Sequence, residues 1–289
     1  VTMNTSSVCA RSRRQTLSPI NDTKDKNATN NVEDQGNREG SSGPYLVLTL
    51  LLQFVPQLPD PDANVIVGGE IEGPYIYLEV LGQTSKVILK NGLTVIVRES
   101  NAVPLTSITT HVKVGSFDEP DHLSGVSHLI EHMFFKGTED RGVGEIAKQT
   151  AALGGSLNAY TYYDRTVYQT VVPSENAIAA MEIQADALWN PAFDLVELAT
   201  EIEVVIQENN LKLDSPTDIV EERLYETAFS DHRIGRWQSA TPEGLRGLTW
   251  EEVVGFHTQY YQPSNVIVAV VGQFHREEIL EEIVRIYSD

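Results

Sequence analysis

The sequence predicts an α+β domain over residues 84–289, in which a mixed, largely antiparallel sheet is packed by helices as a layered α/β roll. Two observations lead to this prediction. Strand-like and helix-like segments are intermixed without the strict alternation that a doubly wound parallel sheet requires. The segment is also long enough for one hydrophobic core, since about 200 residues bury ample apolar surface.

The strands are indicated by short segments rich in β-branched residues or alternating in polarity. Residues 87–97 predict a hairpin, because apolar residues alternate on both sides of Asn91-Gly92, a favoured two-residue turn. Four further strands are predicted at 106–114, 158–161, 166–172 and 266–271.

The helices are indicated by apolar residues that recur every three or four positions. They are predicted at 142–153, 174–189, 195–213, 217–229, 249–260 and 277–287. Another helix is expected around His128 to His132, where the neighbouring residues are apolar on every side and predict burial.

The segment His128-Leu129-Ile130-Glu131-His132 carries the main chemical signal of the chain. Helical residues at i and i+4 project from nearly the same side, so His128 and His132 can direct ring nitrogens to one metal ion. Glu131 lies on the neighbouring stripe, where it can reach a water on that metal without binding the metal. This H-x-x-E-H order is the inverse of the zinc-protease motif H-E-x-x-H.

A competing interpretation is a buried helix whose histidines are satisfied core residues. Burying two imidazoles and a carboxylate together is unfavourable unless they pair or bind a metal. A metal site needs a third ligand, and the helix predicted at 195–213 offers two carboxylates on one face, Glu201 and Glu208. Both could instead extend along the edge of the apolar stripe into solvent.

The motif and several segments on either side of it resemble the metal-bearing N-terminal half of the pitrilysin/insulinase family. This family includes mitochondrial processing peptidase and many bacterial relatives. The resemblance extends from about Val87 to the end of the chain. Besides the motif, the segments that carry it are Val114–Glu119, Gly125–Ser127, Met133–Thr138 and Gly154–Thr161. In that family a Glu some seventy-odd residues after the motif completes the zinc site, and Glu208 matches it at 208 − 132 = 76.

The resemblance implies a zinc endopeptidase acting on peptides or unfolded segments. It implies one Zn2+ per chain held by His128, His132 and Glu208, with Glu131 as the general base that activates a water. It also implies that Glu201 supports the site without binding the metal. One rival hypothesis is a noncatalytic or partner-dependent subunit, since some family members keep the fold without the motif. Another is a metal-binding module without hydrolysis.

The resemblance also implies how a substrate binds and what completes the enzyme. The strand at Asn158, Ala159, Tyr160 and Thr161 is expected at a sheet edge beside the zinc, where an extended peptide can pair with its backbone. The alternative is that Gly154-Gly155 and Asn158 only form a turn into an ordinary strand. The fold is expected to be one half of a clamshell, whose second domain is absent here and must be supplied by further chain or by a partner.

Residues 1–83 are expected to be a disordered or targeting segment. Thr2 to Ser42 is rich in polar residues with almost no periodicity. Leu46 to Val55 is apolar for a length typical of a signal-peptide core, which favours an exported or periplasmic protein. Arg11, Arg13 and Arg14, with no acid nearby, resemble a mitochondrial transit peptide as a weaker alternative.

The charge of the chain limits its partners. It has 21 basic and 41 acidic residues, for a net charge of −20, which disfavours nucleic acid and favours a neutral or basic peptide. No transmembrane helix is evident in the sequence, so no stable membrane insertion is expected. The single cysteine, Cys9, excludes an internal disulfide.

Overall fold

The computed structural model describes residues 74–288, which form seven β-strands and eight α-helices. The strands are β1 Tyr75–Leu81, β2 Thr84–Leu89, β3 Thr94–Glu99, β4 Leu105–Val112, β5 Ser156–Thr161, β6 Thr166–Pro173 and β7 Val266–Gly272. The helices are α1 Val126–Met133, α2 Glu145–Ala152, α3 Ala177–Trp189, α4 Leu195–Leu213, α5 Pro216–Ala228, α6 Pro242–Gly247, α7 Trp250–Tyr260 and α8 Arg276–Tyr287.

The seven strands form one sheet in the order β1-β2-β3-β7-β4-β6-β5. Strands β3 and β7 are parallel, whereas every other neighbouring pair is antiparallel. The predicted mixed, largely antiparallel sheet is therefore confirmed. Strand β5 lies at one edge of this sheet, next to the helix that carries the H-x-x-E-H motif.

The core lies between the sheet and the helices. Along β7 the residues alternate, with Val266, Val268 and Val270 fully buried and the residues between them only partly buried. This period of two presents one face of the strand to the core. Helix α1 is buried on most sides, including Leu129 and Met133, as its all-round apolar sequence predicts.

Three sequence expectations need correction. The folded domain begins before residue 84, because Tyr75–Leu81 is a strand that pairs antiparallel with β2. The hairpin between β2 and β3 has a loop longer than the predicted two residues, because the last paired residues are Ile88 and Thr94. Within this turn only Gly92 has a positive φ, at 91°, whereas a two-residue turn at Asn91-Gly92 favours a positive φ at both residues. Helix α6 was not expected, because its six residues include two glycines and show no helical periodicity of apolar residues.

The remaining helices and strands were predicted within a few residues of their bounds. Helix α4 has the predicted ends, since Asp194 caps it by accepting hydrogen bonds from the amides of Val196 and Glu197 at 2.8 and 3.1 Å. The expectations for residues 1–73 lie outside the described residues. Within residues 74–288, no helix is both long and apolar enough to span a membrane.

Candidate metal centre

Two helices bring the candidate ligands together. Helix α1 carries His128 and His132 one turn apart, and α4 packs against it with Glu208 facing them. The two imidazole Nε2 atoms lie 3.2 Å apart, and Glu208 Oε2 lies 3.5 Å from each of them. The three residues that the sequence and the family resemblance indicated therefore form one cluster.

The spacing of these atoms fits a zinc ion. Four ligands placed tetrahedrally at about 2.1 Å from zinc lie roughly 3.4 Å from one another, and the three distances are 3.2, 3.5 and 3.5 Å. Two imidazole nitrogens and one carboxylate oxygen are also a ligand set that catalytic zinc uses. The residues present thus fit Zn2+ with a fourth position left for water or substrate.

The cluster is closed on one side and open on the other. The side chain of His132 is 4% exposed, whereas those of His128 and Glu208 are 22% and 37% exposed. Solvent therefore reaches the cluster from the side of His128 and Glu208. His132 faces the protein interior, where its ring orientation has to be set by a protein group.

Glu201 provides that group. Its Oε2 lies 2.8 Å from Nδ1 of His132, and its Oε1 lies 2.6 Å from Nζ of Lys136. Glu201 is itself 4% exposed, so its charge is compensated by His132 and Lys136 rather than by water. When Glu201 accepts a hydrogen bond from the Nδ1–H of His132, the Nε2 of His132 carries no proton and is free to bind a metal.

These contacts separate the pKa values of the two histidines. Burial, with the charge of His132 nearby, lowers the pKa of His128 well below its usual range. Burial also acts against a charge on His132, but the hydrogen bonds to Glu201 and Glu208 outweigh it and raise the pKa of His132. Because a metal binds neutral imidazole, its binding would release a proton from the cluster.

Glu131 is buried beside the cluster but does not belong to it. Its Oε2 accepts a hydrogen bond from the Thr161 hydroxyl at 2.5 Å. Burial raises the pKa of Glu131, although the Thr161 hydrogen bond and the charge of His132 act in the opposite direction. A buried carboxylate with a raised pKa next to a metal site has the properties of a general base.

The other residues of β5 lie along the edge strand that leads to Thr161. The Asn158 amide donates from Nδ2 to the hydroxyl of Tyr160 at 2.6 Å, and Asn158 Oδ1 accepts from the amide of Ala159 at 3.1 Å. Ala159 is buried, whereas Asn158, Tyr160 and Thr161 are half-buried. Among the hydrogen bonds described for these four residues, the one from Thr161 to Glu131 reaches the motif helix.

Sequence reasoning missed three polar contacts around the site. Lys136 was quoted only as part of a family segment, and its contact with Glu201 joins the segment after α1 to the interior of α4. The Thr161 contact with Glu131 was not expected, since Thr161 was predicted to bind substrate. Glu119 accepts hydrogen bonds from the amides of Gly125 and Ser127, and only its place six residues before Gly125 could have suggested this.

Comparisons with known proteins agree with this geometry. The sequence matches the family described as Insulinase (Peptidase family M16) over residues 94–241. An uncharacterized zinc protease of Rickettsia bellii is 36% identical over 200 residues, covering 69% of this chain and 48% of that protein. The chain thus spans about half the length of the curated relatives it matches.

Two solved structures have a similar fold. A protease from Helicobacter pylori superposes with a TM-score of 0.69 at 28% identity, covering 71% of this chain and 50% of that one. The first half of the periplasmic protease PqqL from Escherichia coli superposes with a TM-score of 0.67, covering 72% of this chain and 46% of that half. At 24% identity, the PqqL match concerns the fold alone.

Proposed function

Because the chain belongs to the insulinase family of peptidases (peptidase family M16), we propose that it is the zinc-bearing domain of an endopeptidase that cleaves peptides or unfolded segments. The observation that carries this proposal is the near-tetrahedral spacing of His128, His132 and Glu208 beside the buried carboxylate of Glu131. The substrate class follows from the edge strand, which offers backbone groups rather than a side-chain pocket.

The cluster has the parts that peptide hydrolysis needs. Zinc, when held by His128, His132 and Glu208, supplies a Lewis acid that acidifies a water and polarises the scissile carbonyl. Glu131 takes the proton of the attacking water and then delivers it to the leaving amine. Thr161 holds the Glu131 carboxylate through its 2.5 Å hydrogen bond to Oε2, which leaves Oε1 to accept the proton.

Substrate binds along β5. Residues Asn158 to Thr161 form an edge strand, and its end at Thr161 contacts Glu131. An extended peptide that pairs with this edge runs past the metal cluster, which positions a backbone carbonyl there with little demand on sequence. Asn158 contributes a side-chain contact to the peptide backbone once its carboxamide turns away from Tyr160.

The active enzyme encloses its substrate with a second domain of the same family, supplied by further chain or by a partner. Two facts support this proposal. The chain spans 48% of the Rickettsia bellii relative and 46% of the PqqL half. The cluster also faces solvent on the side of Glu208, which a second domain would shield from bulk water.

The test compares zinc content and peptide turnover in the wild type and in Glu131→Gln. The amide cannot accept a proton, so we expect about one Zn2+ per chain in both proteins but turnover lowered by about a thousandfold or more in the variant. Glu203→Gln serves as a matched control, because Glu203 is an exposed carboxylate on α4 that pairs with Arg246. Equal turnover by Glu131→Gln and wild type would refute the mechanism.

A second candidate function is that of a partner-dependent subunit, which the solvent-facing side of the cluster at Glu208 favours. The same measurements separate the two. Wild-type protein that binds about one Zn2+ yet cleaves no unfolded casein or fluorogenic peptide would indicate that the site operates only with its other domain. Folded wild-type protein without zinc affinity would contradict the first candidate and favour a subunit whose site forms only with its other domain.

A further inference from the structure

The motif helix begins after a residue that cannot cap it. The residue before α1 is Gly125, with φ of 90° and ψ of −1°, and it has no side chain to accept hydrogen bonds from the first turn. A Cβ at Gly125 would lie 2.7 Å from that of Ala240 and 2.8 Å from Cδ2 of Leu245. Packing therefore excludes the Ser, Thr, Asp or Asn that normally begins a helix.

Glu119 replaces the missing cap from six residues upstream. Its Oε2 accepts a hydrogen bond from the amide of Gly125, and its Oε1 accepts one from the amide of Ser127, each at 2.9 Å. The residue is 2% exposed, so these amides are among the few groups that compensate its desolvation. A carboxylate at a helix N-terminus also interacts favourably with the helix dipole.

Arg236 fixes this carboxylate to the neighbouring loop. Its guanidinium lies 3.4 Å from Glu119 Oε2 and donates to the carbonyl of Glu119 at 3.2 Å. It also donates to the carbonyl of Ser116 and to Asp121. The loop before α1, the first turn of α1 and the segment after α5 are thus joined at one point.

We propose that Glu119, held by Arg236, is a positioning residue that sets the axial rotation of α1 and thereby the placement of its two imidazoles for zinc. Ser127, whose amide Glu119 binds, directly precedes His128, and His132 follows one turn later. His132 already has Glu201 to orient its ring, whereas His128 has no such partner in its described contacts beyond His132 and Glu208. Its placement therefore depends on the helix backbone.

The experiment measures Zn2+ affinity of the full chain by competition with a chromophoric chelator, together with the melting temperature of the metal-free protein. In Glu119→Gln one carboxylate oxygen becomes an amide NH2 that cannot accept from Gly125 or Ser127. We expect zinc affinity to fall about tenfold, as for other groups that orient ligands from outside the coordination sphere. Cleavage, where it is observed, should fall in kcat with little change in KM.

Thr249→Ala is the matched control. Thr249 caps α7 with its own side chain, in a capping box with Glu252, and α7 carries no proposed ligand. It should lower the melting temperature as the loss of a cap does, while zinc affinity stays within about twofold of wild type. The same pattern in Glu119→Gln, a lower melting temperature with unchanged zinc affinity, would overturn the positioning role and leave a capping role only.

Arg236→Gln provides a second variant in case Glu119→Gln does not fold. This variant keeps both amide hydrogen bonds to Glu119 but removes the guanidinium hydrogen bonds to Ser116 and Asp121. We therefore expect zinc affinity to fall about threefold. Unchanged affinity in this variant would likewise overturn the proposal. The inference rests on the proposed zinc site, but the two proposals fail in different ways. Wild-type protein without zinc affinity refutes the site itself. Variants that bind zinc as tightly as the wild type refute only the positioning role of Glu119.

Discussion

The contact between Glu201 and His132 is the most direct test of how the protein prepares the cluster. Glu201→Gln keeps the size of the side chain and one acceptor oxygen but removes the charge. The contact joins two side chains that are each 4% exposed, at 2.8 Å. Water therefore cannot replace the lost interaction.

The expected size of the effect follows from that geometry. A hydrogen bond to a charged group contributes about 1.5–3 kcal/mol, and about 1.4 kcal/mol corresponds to a tenfold change in an equilibrium constant. Zinc affinity should therefore fall about 10- to 100-fold. Because Gln retains a neutral acceptor for the His132 Nδ1 proton, we expect the lower end of this range.

The assay is competition for Zn2+ between the metal-free protein and a chromophoric chelator at neutral pH. Glu197→Gln is the matched control, since Glu197 lies on the same face of α4, 3.8 Å from Nζ of Lys136, and does not contact His132. Its zinc affinity should equal that of the wild type. Equal affinities for Glu201→Gln and Glu197→Gln would refute the role of Glu201 in orienting His132.

Three further predictions concern catalysis, packing and pH. Thr161→Val removes the hydrogen bond to Glu131 and should lower kcat about tenfold with zinc content unchanged; an unchanged kcat would contradict it. Gly125→Ala should lower the free energy of unfolding by about 1–3 kcal/mol in urea titrations, because its Cβ would lie 2.7 Å from that of Ala240. Burial lowers the pKa of His257 to about 4, so below about pH 6.5 the unfolded imidazole binds a proton that the folded one does not. His257 should therefore contribute a fall of about 3 kcal/mol in the unfolding free energy as the pH drops from about 6.5 to about 4, and His257→Gln, which cannot titrate, should remove that contribution.

The cluster of His128, His132 and Glu208 was predictable because each of these residues lies on a regular helix. The i, i+4 spacing of His128 and His132 is a property of any helix, and burial of their neighbours could be read from the apolar sequence. The pairing of α1 with α4, which brings Glu208 to the histidines, came from the family resemblance. No local pattern specifies which two helices of a domain pack together.

The supporting contacts were not predictable, because no local sequence pattern specifies which distant segments meet. Glu119 reaches the start of α1 across an irregular loop, and Lys136 reaches Glu201 between two helices. Neither contact has a sequence period. Strand β1 was missed because its residues are half-buried on both faces, so that Tyr75–Leu81 lacks the clear alternation of β7.

The position of β7 in the sheet determines when the domain can be completed during synthesis. This strand is the last of the seven described strands but central in the sheet, where it joins β3 on one side to β4 on the other. Until Val266–Gly272 leaves the ribosome, the sheet consists of two separate halves, although all proposed zinc ligands have already been made. Nascent chains that stop before Val266 therefore expose the inner edges of β3 and β4, which makes them candidates for chaperone binding and for aggregation.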